Sequence, residues 1–352
     1  LKDRKAHPYF SYDWNVKIIS DPSQIPKRFL WGNQNFVVAD QLECQIAGLT
    51  FANPLILASG ILGVAPSSMV RLYKAGIGGI TTKSVGPISR IGYPNPSIIE
   101  IDDGTFLNSV GLANPGIDAF LPEIREIKTK SSIPLIVSVF GDGPEGYAEI
   151  ARKAENAGAD AIEINVSCPH AEVASIALSP DLTELFTRTV KEAVSIPVFA
   201  KLTPNIADII PIAQAAEKGG ADAIVVINTL RGLALDVETG RPLLSHGIGG
   251  LSGRAIRSVG VRVLYELFPH ITIPIIGCGG IYTWQDVLEY ISAGATTVQI
   301  GSAFYLGDQI IPEILSGLKS YLKSHGISHL QELRGRAHNF TDQLEMNPNK
   351  CP

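Results

Sequence analysis

One local pattern recurs four times and constrains the fold more than any other feature. The stretches KAGIGGITTKS (74–84), NAGADAIEINVS (156–167), KGGADAIVVINT (218–229) and SAGATTVQIGS (292–302) each pass from a helical run through glycine into a short apolar strand. Glycine supplies the left-handed backbone that ends a helix. Helices alternating with strands give a parallel sheet. Completing the series yields eight strands, at 54–59, 79–84, 134–140, 161–166, 197–202, 223–228, 273–278 and 297–301. Most are rich in Ile, Val and Leu, the composition of strands covered on both faces. Between them, PEGYAEIARKAENAG (144–158) and NIADIIPIAQAAEKGG (205–220) space apolar residues by three and four, as amphipathic helices do. Eight units predict an α/β fold closed as a (β/α)8 TIM barrel, with a doubly wound open sheet as the alternative.

The barrel is expected over residues 45–337, after an N-terminal extension (1–44) and before a C-terminal tail (338–352). Two stretches interrupt the repeat, 85–117 and 230–252. Long segments after strands lie on the C-terminal face, where barrels build their sites, so both are read as site walls or lids. The net charge of -5 carries no basic excess of the kind that marks nucleic-acid or anionic-membrane partners. No run approaches the roughly 20 apolar residues of a membrane span. The opening LKDRKAHPYF lacks the apolar core of a signal peptide, and a cytoplasmic protein is the expectation. The four cysteines, Cys44, Cys168, Cys278 and Cys351, lie far apart with no C-x-x-C pair. That spacing argues against a zinc site, an iron–sulfur cluster or a disulfide scaffold within the chain.

The expected strands end in Ser59–Gly60, Lys83–Ser84, Ser138, Asn165, Lys201, Asn228–Thr229, Gly279–Gly280 and Gly301–Ser302. A single polar strand end reflects contact with water. A ring of them with two lysines and two asparagines points to a ligand site. GCGGI (277–281) and IGSA (300–303) offer glycines whose N–H groups can approach a phosphate, and GGLSG (249–253) could add a third wall. Lys201 needs a partner at the end of a buried strand. Its options are a salt bridge, a Schiff base, or a cation beside an electron-rich ring. Cys168 sits beyond a strand with Ser167, Pro169 and His170, a poor place for packing and a good one for chemistry. A free thiol titrates near about 8.5 and can exchange a proton close to neutral pH. Cys278, inside IIGCGGI, reads as a core filler.

LASG, TTKSV, LNSVGLANPG, NVSCP, AKLTPN, INTLRGLALDVETGRPLL, GGLSG, GCGGI and IGSA occur in this order. Together they resemble the class 1 dihydroorotate dehydrogenases over roughly residues 45 to 325, most closely the NAD-linked 1B branch. The resemblance implies an FMN-bound barrel that oxidises dihydroorotate to orotate in pyrimidine biosynthesis. It implies Cys168 as the base for the C5 proton, with hydride passing from C6 to flavin N5. Lys83, Asn108, Asn165 and Asn228 resemble the substrate clamp, with Gly111, Leu112 and Thr229 beside it. Ala58, Ser59, Gly60, Lys83, Ser84, Asn165, Lys201, Gly250, Gly279, Gly280, Gly301 and Ser302 resemble the FMN cradle. The 1B branch further implies an FAD and iron–sulfur partner subunit that passes electrons to NAD, and a homodimer alone or within a heterotetramer. His170 stands where that family usually has Asn, as in the related dihydropyrimidine dehydrogenases. A subunit acting on uracil or thymine is therefore the alternative. A Schiff-base aldolase using Lys201 and a non-catalytic phosphate-binding barrel complete the set.

Overall fold

Glycine closes the helices where the repeat places it. Gly76, Gly158, Gly220 and Gly294 all take positive φ, from 91° to 127°. In each case the next residue donates its N–H back to a carbonyl five positions earlier: Ile77 to Leu72, Ala159 to Ala154, Ala221 to Ala216 and Ala295 to Tyr290. Each bond satisfies a carbonyl that the helix end leaves unpaired and turns the chain toward the sheet. The computed structural model describes residues 41–166 and 178–340.

The chain order begins with a hairpin, β1 (Cys44–Ile46) and β2 (Leu49–Phe51), then β3 (Leu55–Leu57), helix α1 (Pro66–Lys74) and β4 (Gly79–Thr81). A second hairpin, β5 (Ile98–Asp102) and β6 (Thr105–Asn108), precedes α2 (Ile117–Lys130). Alternation resumes through β7 (Leu135–Val139), α3 (Gly143–Ala157), β8 (Ala161–Asn165), α4 (Pro180–Ala193), β9 (Val198–Lys201), α5 (Ile210–Lys218) and β10 (Ala223–Val226). Next come β11 (Leu230–Gly232), β12 (Gly249–Gly253), α6 (Arg257–Leu267), β13 (Ile275–Cys278), α7 (Trp284–Ala293), β14 (Thr297–Ile300) and α8 (Ile310–Ser324).

Strands β3, β4, β7, β8, β9, β10, β13 and β14 close into one parallel barrel. All eight expected strands take part, and closure decides against the open sheet. Ile56, Ile136, Phe199, Val225 and Ile276 fill the interior, joined by Cys44, Ile46 and Phe51 from the first hairpin. A Cβ on Gly79, where β4 begins, would meet the Phe51 ring at 2.7 Å, so the hairpin plugs the end from which the strands start. The outer helices bury one face each; on α3 it is Tyr147, Ile150, Ala151 and Ala154. Two aspartates that follow the closing glycines bolt neighbouring strands together. Asp160 accepts from the Leu135 N–H and from Lys128, and Asp222 accepts from the Val198 N–H and from Lys191. Packing continues at both ends of the expected 45–337 span: Leu42 is buried, and His338 stacks on Tyr265 at 4.1 Å.

The two interrupting segments are more regular than the sequence suggests. Instead of separate walls they build one four-stranded antiparallel sheet, ordered β11-β12-β6-β5. GGLSG, offered as a third phosphate wall, is strand β12, with Gly250 opposite Asn108 and Gly253 opposite Thr105. Its glycines answer to close approach. A Cβ on Gly249 would lie 2.5 Å from Leu244, and one on Gly250 would lie 2.3 Å from Thr229 Oγ1. Tyr93 stacks on His246 at 3.7 Å and ties the two segments together again beyond the strands.

Candidate active site

The carboxyl ends of the barrel strands converge on one mouth, and their inward side chains form a polar layer above the apolar interior. Register sets Asn165 beside Lys201 and Ser138 beside Glu163. Asn165 Nδ2 donates to Ser84 Oγ at 3.1 Å, and the Ser84 and Ser138 hydroxyls share a bond of 2.8 Å. Lys201 is 3% exposed, and its ammonium donates to Gln299 Oε1 at 2.8 Å. The same Gln299 turns its Nε2 to Glu163 Oε2 at 2.7 Å and to Thr81 Oγ1 at 3.2 Å. Glu163 completes the group with Oε1 at 3.8 Å from Lys201 Nζ. The salt-bridge option for Lys201 is therefore realised, though at long range and through an amide. Cys278 is paired in register with Gln299 and packs against the inner cluster. Burial pushes its thiol upward.

Lys83 lies at the end of the β4 segment, held by its own N–H on the Gly63 carbonyl at 2.8 Å. Among the described residues no carboxylate pairs with its ammonium, and burial holds that ammonium below the usual lysine range. It lines a cavity of about 140 Å³ with Ser84, Ala113, Asn114 and Pro115. Asn108 reaches across the antiparallel sheet, Nδ2 donating to the Gly250 carbonyl at 3.1 Å. Gly111 and Leu112 both take positive φ, 73° and 55°. Asn114 fixes that bend by accepting from the Gly86 and Gly116 N–H groups and donating to the Leu112 carbonyl. Asn228 is anchored through its N–H to the Leu202 carbonyl, and its Oδ1 accepts from the Thr229 N–H at 2.7 Å. The expected substrate residues among the described positions thus come from β4, β6, β8 and the turn after β10. Cys168, Ser167 and His170 lie outside the described residues.

Across the mouth, Gly279 and Gly280 follow β13 with φ of 128° and 67°, and Gly301–Ser302 follow β14. Among the described residues their N–H groups meet no protein acceptor, which leaves several donors for a ligand. Ala58 sits against Gly301, whose added Cβ would fall 3.4 Å from the Ala58 Cβ. Ser59 and Gly60 continue the chain at that edge, Gly60 with φ of 96°. Four clustered backbone N–H groups suit a phosphate. The two lysines and the carboxamides of Asn108, Asn165 and Asn228 suit a planar ring with amide edges. Sequence reasoning passed over Glu163, Gln299 and Asn114. Two of them had a signal, as polar residues flanked on both sides by apolar ones in AIEIN and TVQI.

The family described as dihydroorotate dehydrogenase matches residues 41–322. The chain is 48% identical over 296 residues to a dihydroorotate dehydrogenase B (NAD(+)), catalytic subunit, of Methanosarcina mazei, spanning 83% of this chain and 94% of that protein. It is 45% identical over 303 residues to the protein of the same description from Methanocaldococcus jannaschii, spanning 84% and 98%. A crystal structure of DHODH in complex with ferulenol from Eimeria tenella superposes with a TM-score of 0.75 at 22% identity, covering 88% of this chain and 91% of that one. At that identity the likeness concerns the fold.

Proposed function

This chain belongs to the dihydroorotate dehydrogenase family, and from that premise we propose how its barrel mouth works. The enzyme oxidises dihydroorotate to orotate in pyrimidine biosynthesis. The alternative raised by His170, a dihydropyrimidine dehydrogenase-like subunit, gives way to the family match. The family uses a flavin, and FMN is the form we assign. The observation that carries this is the gathering of anion-attracting groups around one mouth. Acceptor-free N–H groups of Gly279, Gly280, Gly301 and Ser302 lie on one side, with Lys201 and Lys83 toward the other.

The N–H groups, with Ala58, Ser59 and Gly60 beside them, would hold the phosphate and ribityl chain. Ser84, Asn165, Lys201 and Gly250 would hold the ring, with Lys201 toward its N1–O2 edge, where a cation favours reduced-flavin charge. When bound, FMN supplies the hydride acceptor for C6 of dihydroorotate at N5. Lys83 balances the substrate carboxylate, and Asn108, Asn165 and Asn228 pair donor and acceptor with its amide edges. Gly111, Leu112 and Thr229 border that clamp. Cys168 takes the C5 proton as a thiolate.

The M. mazei relative is described as a catalytic subunit. A partner carrying FAD and an iron–sulfur cluster, passing electrons to NAD, fits that description and the four scattered cysteines of this chain. A homodimer within a heterotetramer is the assembly we assign. No helix among the described residues is long and apolar enough to cross a membrane.

Replacing Cys168 with Ala tests the base. Loss of a positioned general base costs about 10²–10⁴-fold in rate. We expect dihydroorotate-dependent flavin reduction to slow by that order while the purified protein keeps its flavin absorbance. Reduction at the original rate would remove Cys168 from this role.

A further inference from the structure

We propose that Glu163 is a positioning residue that acts on the flavin through Gln299 and Lys201, holding the bound flavin's midpoint potential below the value Lys201 alone would set. The inference rests on the flavin reading given above.

Glu163 is wholly buried inside the barrel, one inward position below Asn165 on β8. A carboxylate there is costly unless paired and fully hydrogen-bonded. It is only partly so: Oε2 accepts from Gln299, but Oε1 accepts no hydrogen bond among the described residues, and its salt bridge to Lys201 is long at 3.8 Å. For stability alone, apolar residues of similar volume in place of the whole Glu163–Lys201 pair would serve as well. Below this polar layer the barrel interior is Ile136, Phe199 and Val225, side chains that need no partner.

What the arrangement does achieve is orientation. The Gln299 amide is fixed from both sides, its carbonyl receiving the Lys201 ammonium and its N–H directed to Glu163 and Thr81. The amide can face only one way, because the Lys201 ammonium can only donate. Lys201 therefore keeps a neutral acceptor at 2.8 Å and a full negative charge behind it. A reduced flavin that gains negative charge near Lys201 must share that cation with Glu163. Removing the carboxylate leaves the cation wholly to the flavin and favours the reduced form.

The test is the midpoint potential of flavin in the purified holoenzyme, measured by dye equilibration for wild type, Glu163→Gln and Glu163→Asp. Glu163→Gln should shift the oxidised–reduced equilibrium toward reduced by about tenfold, the scale of one charge interaction in a partly shielded interior. For a two-electron couple this is about 30 mV upward. Glu163→Asp keeps the charge but withdraws it by one methylene, and should move the potential the same way by less. It reads the same quantity if the Gln protein does not fold. An unchanged or lowered potential in whichever variant retains flavin overturns the proposal. A wild-type chain purified and reconstituted without any flavin would instead overturn the reading on which it rests.

Discussion

Lys83 carries the clearest electrostatic signature among the residues of the mouth. Its ammonium is partly desolvated and, among the described residues, lacks an anionic partner. The folded-state pKa lies below the unfolded one, so between the two values the unfolded chain binds more protons. Ligand-free stability therefore rises with pH across that window. An anionic ligand reverses the preference by favouring the ammonium. Orotate affinity should hold steady below the depressed Lys83 pKa and fall above it, by up to about tenfold per pH unit. Titrating orotate against the holoenzyme at stepped alkaline pH reads this directly. Lys83→Met should bind orotate more weakly and lose the pH dependence; a Met variant with the original profile would assign the titration elsewhere.

At the level of elements, the antiparallel sheet over the mouth is where local sequence was least informative. The barrel strands were legible because their signal is local: an apolar run, then a polar end, with a glycine turn before it. Strand β12 shows no such signal. GGLSG takes its strand form from pairing with Thr105–Asn108, partners more than 140 positions away, as the Asn108–Gly250 bond illustrates. The same limit hid the three polar partners of Gln299, which come from β4, β8 and β9. Gly250 offers a test of the sheet's tightness. Its α-hydrogen faces Thr229, and a methyl there would press on Oγ1 at 2.3 Å and Cβ at 2.8 Å. Gly250→Ala should cost about 1–3 kcal/mol of overpacking and raise the KM for dihydroorotate by displacing Thr229. Thermal unfolding together with initial rates checks both; unchanged values would mean that the turn after β10 yields freely.

The barrel as a whole is plugged at the end opposite its mouth. Phe51 is fully buried between the first hairpin and the start of β4, in the same cluster as Phe199 and Ile276. Truncating a buried phenylalanine costs about 3–5 kcal/mol. Phe51→Ala should lower the unfolding midpoint accordingly, with kcat per bound flavin preserved at temperatures where the fold survives. A fall in kcat at full flavin occupancy would show that the lower plug is felt at the mouth. The sequence revealed the eight-unit architecture because closure needs only eight repeats of one grammar. It pointed to the segments that cover the mouth but not to their sheet, nor to the hairpin below, since caps are built from irregular segments with no period of their own.

The Asn108–Gly250 bond has a consequence for how the two small molecules meet. One side chain is assigned to the substrate and the other residue to the flavin, yet they share a hydrogen bond across adjacent strands. Whatever steadies one strand steadies its neighbour, so occupancy at either seat should tighten the other by an equal factor, as linkage requires. Such an enzyme would resist losing its prosthetic group most strongly while pyrimidine precursor is plentiful.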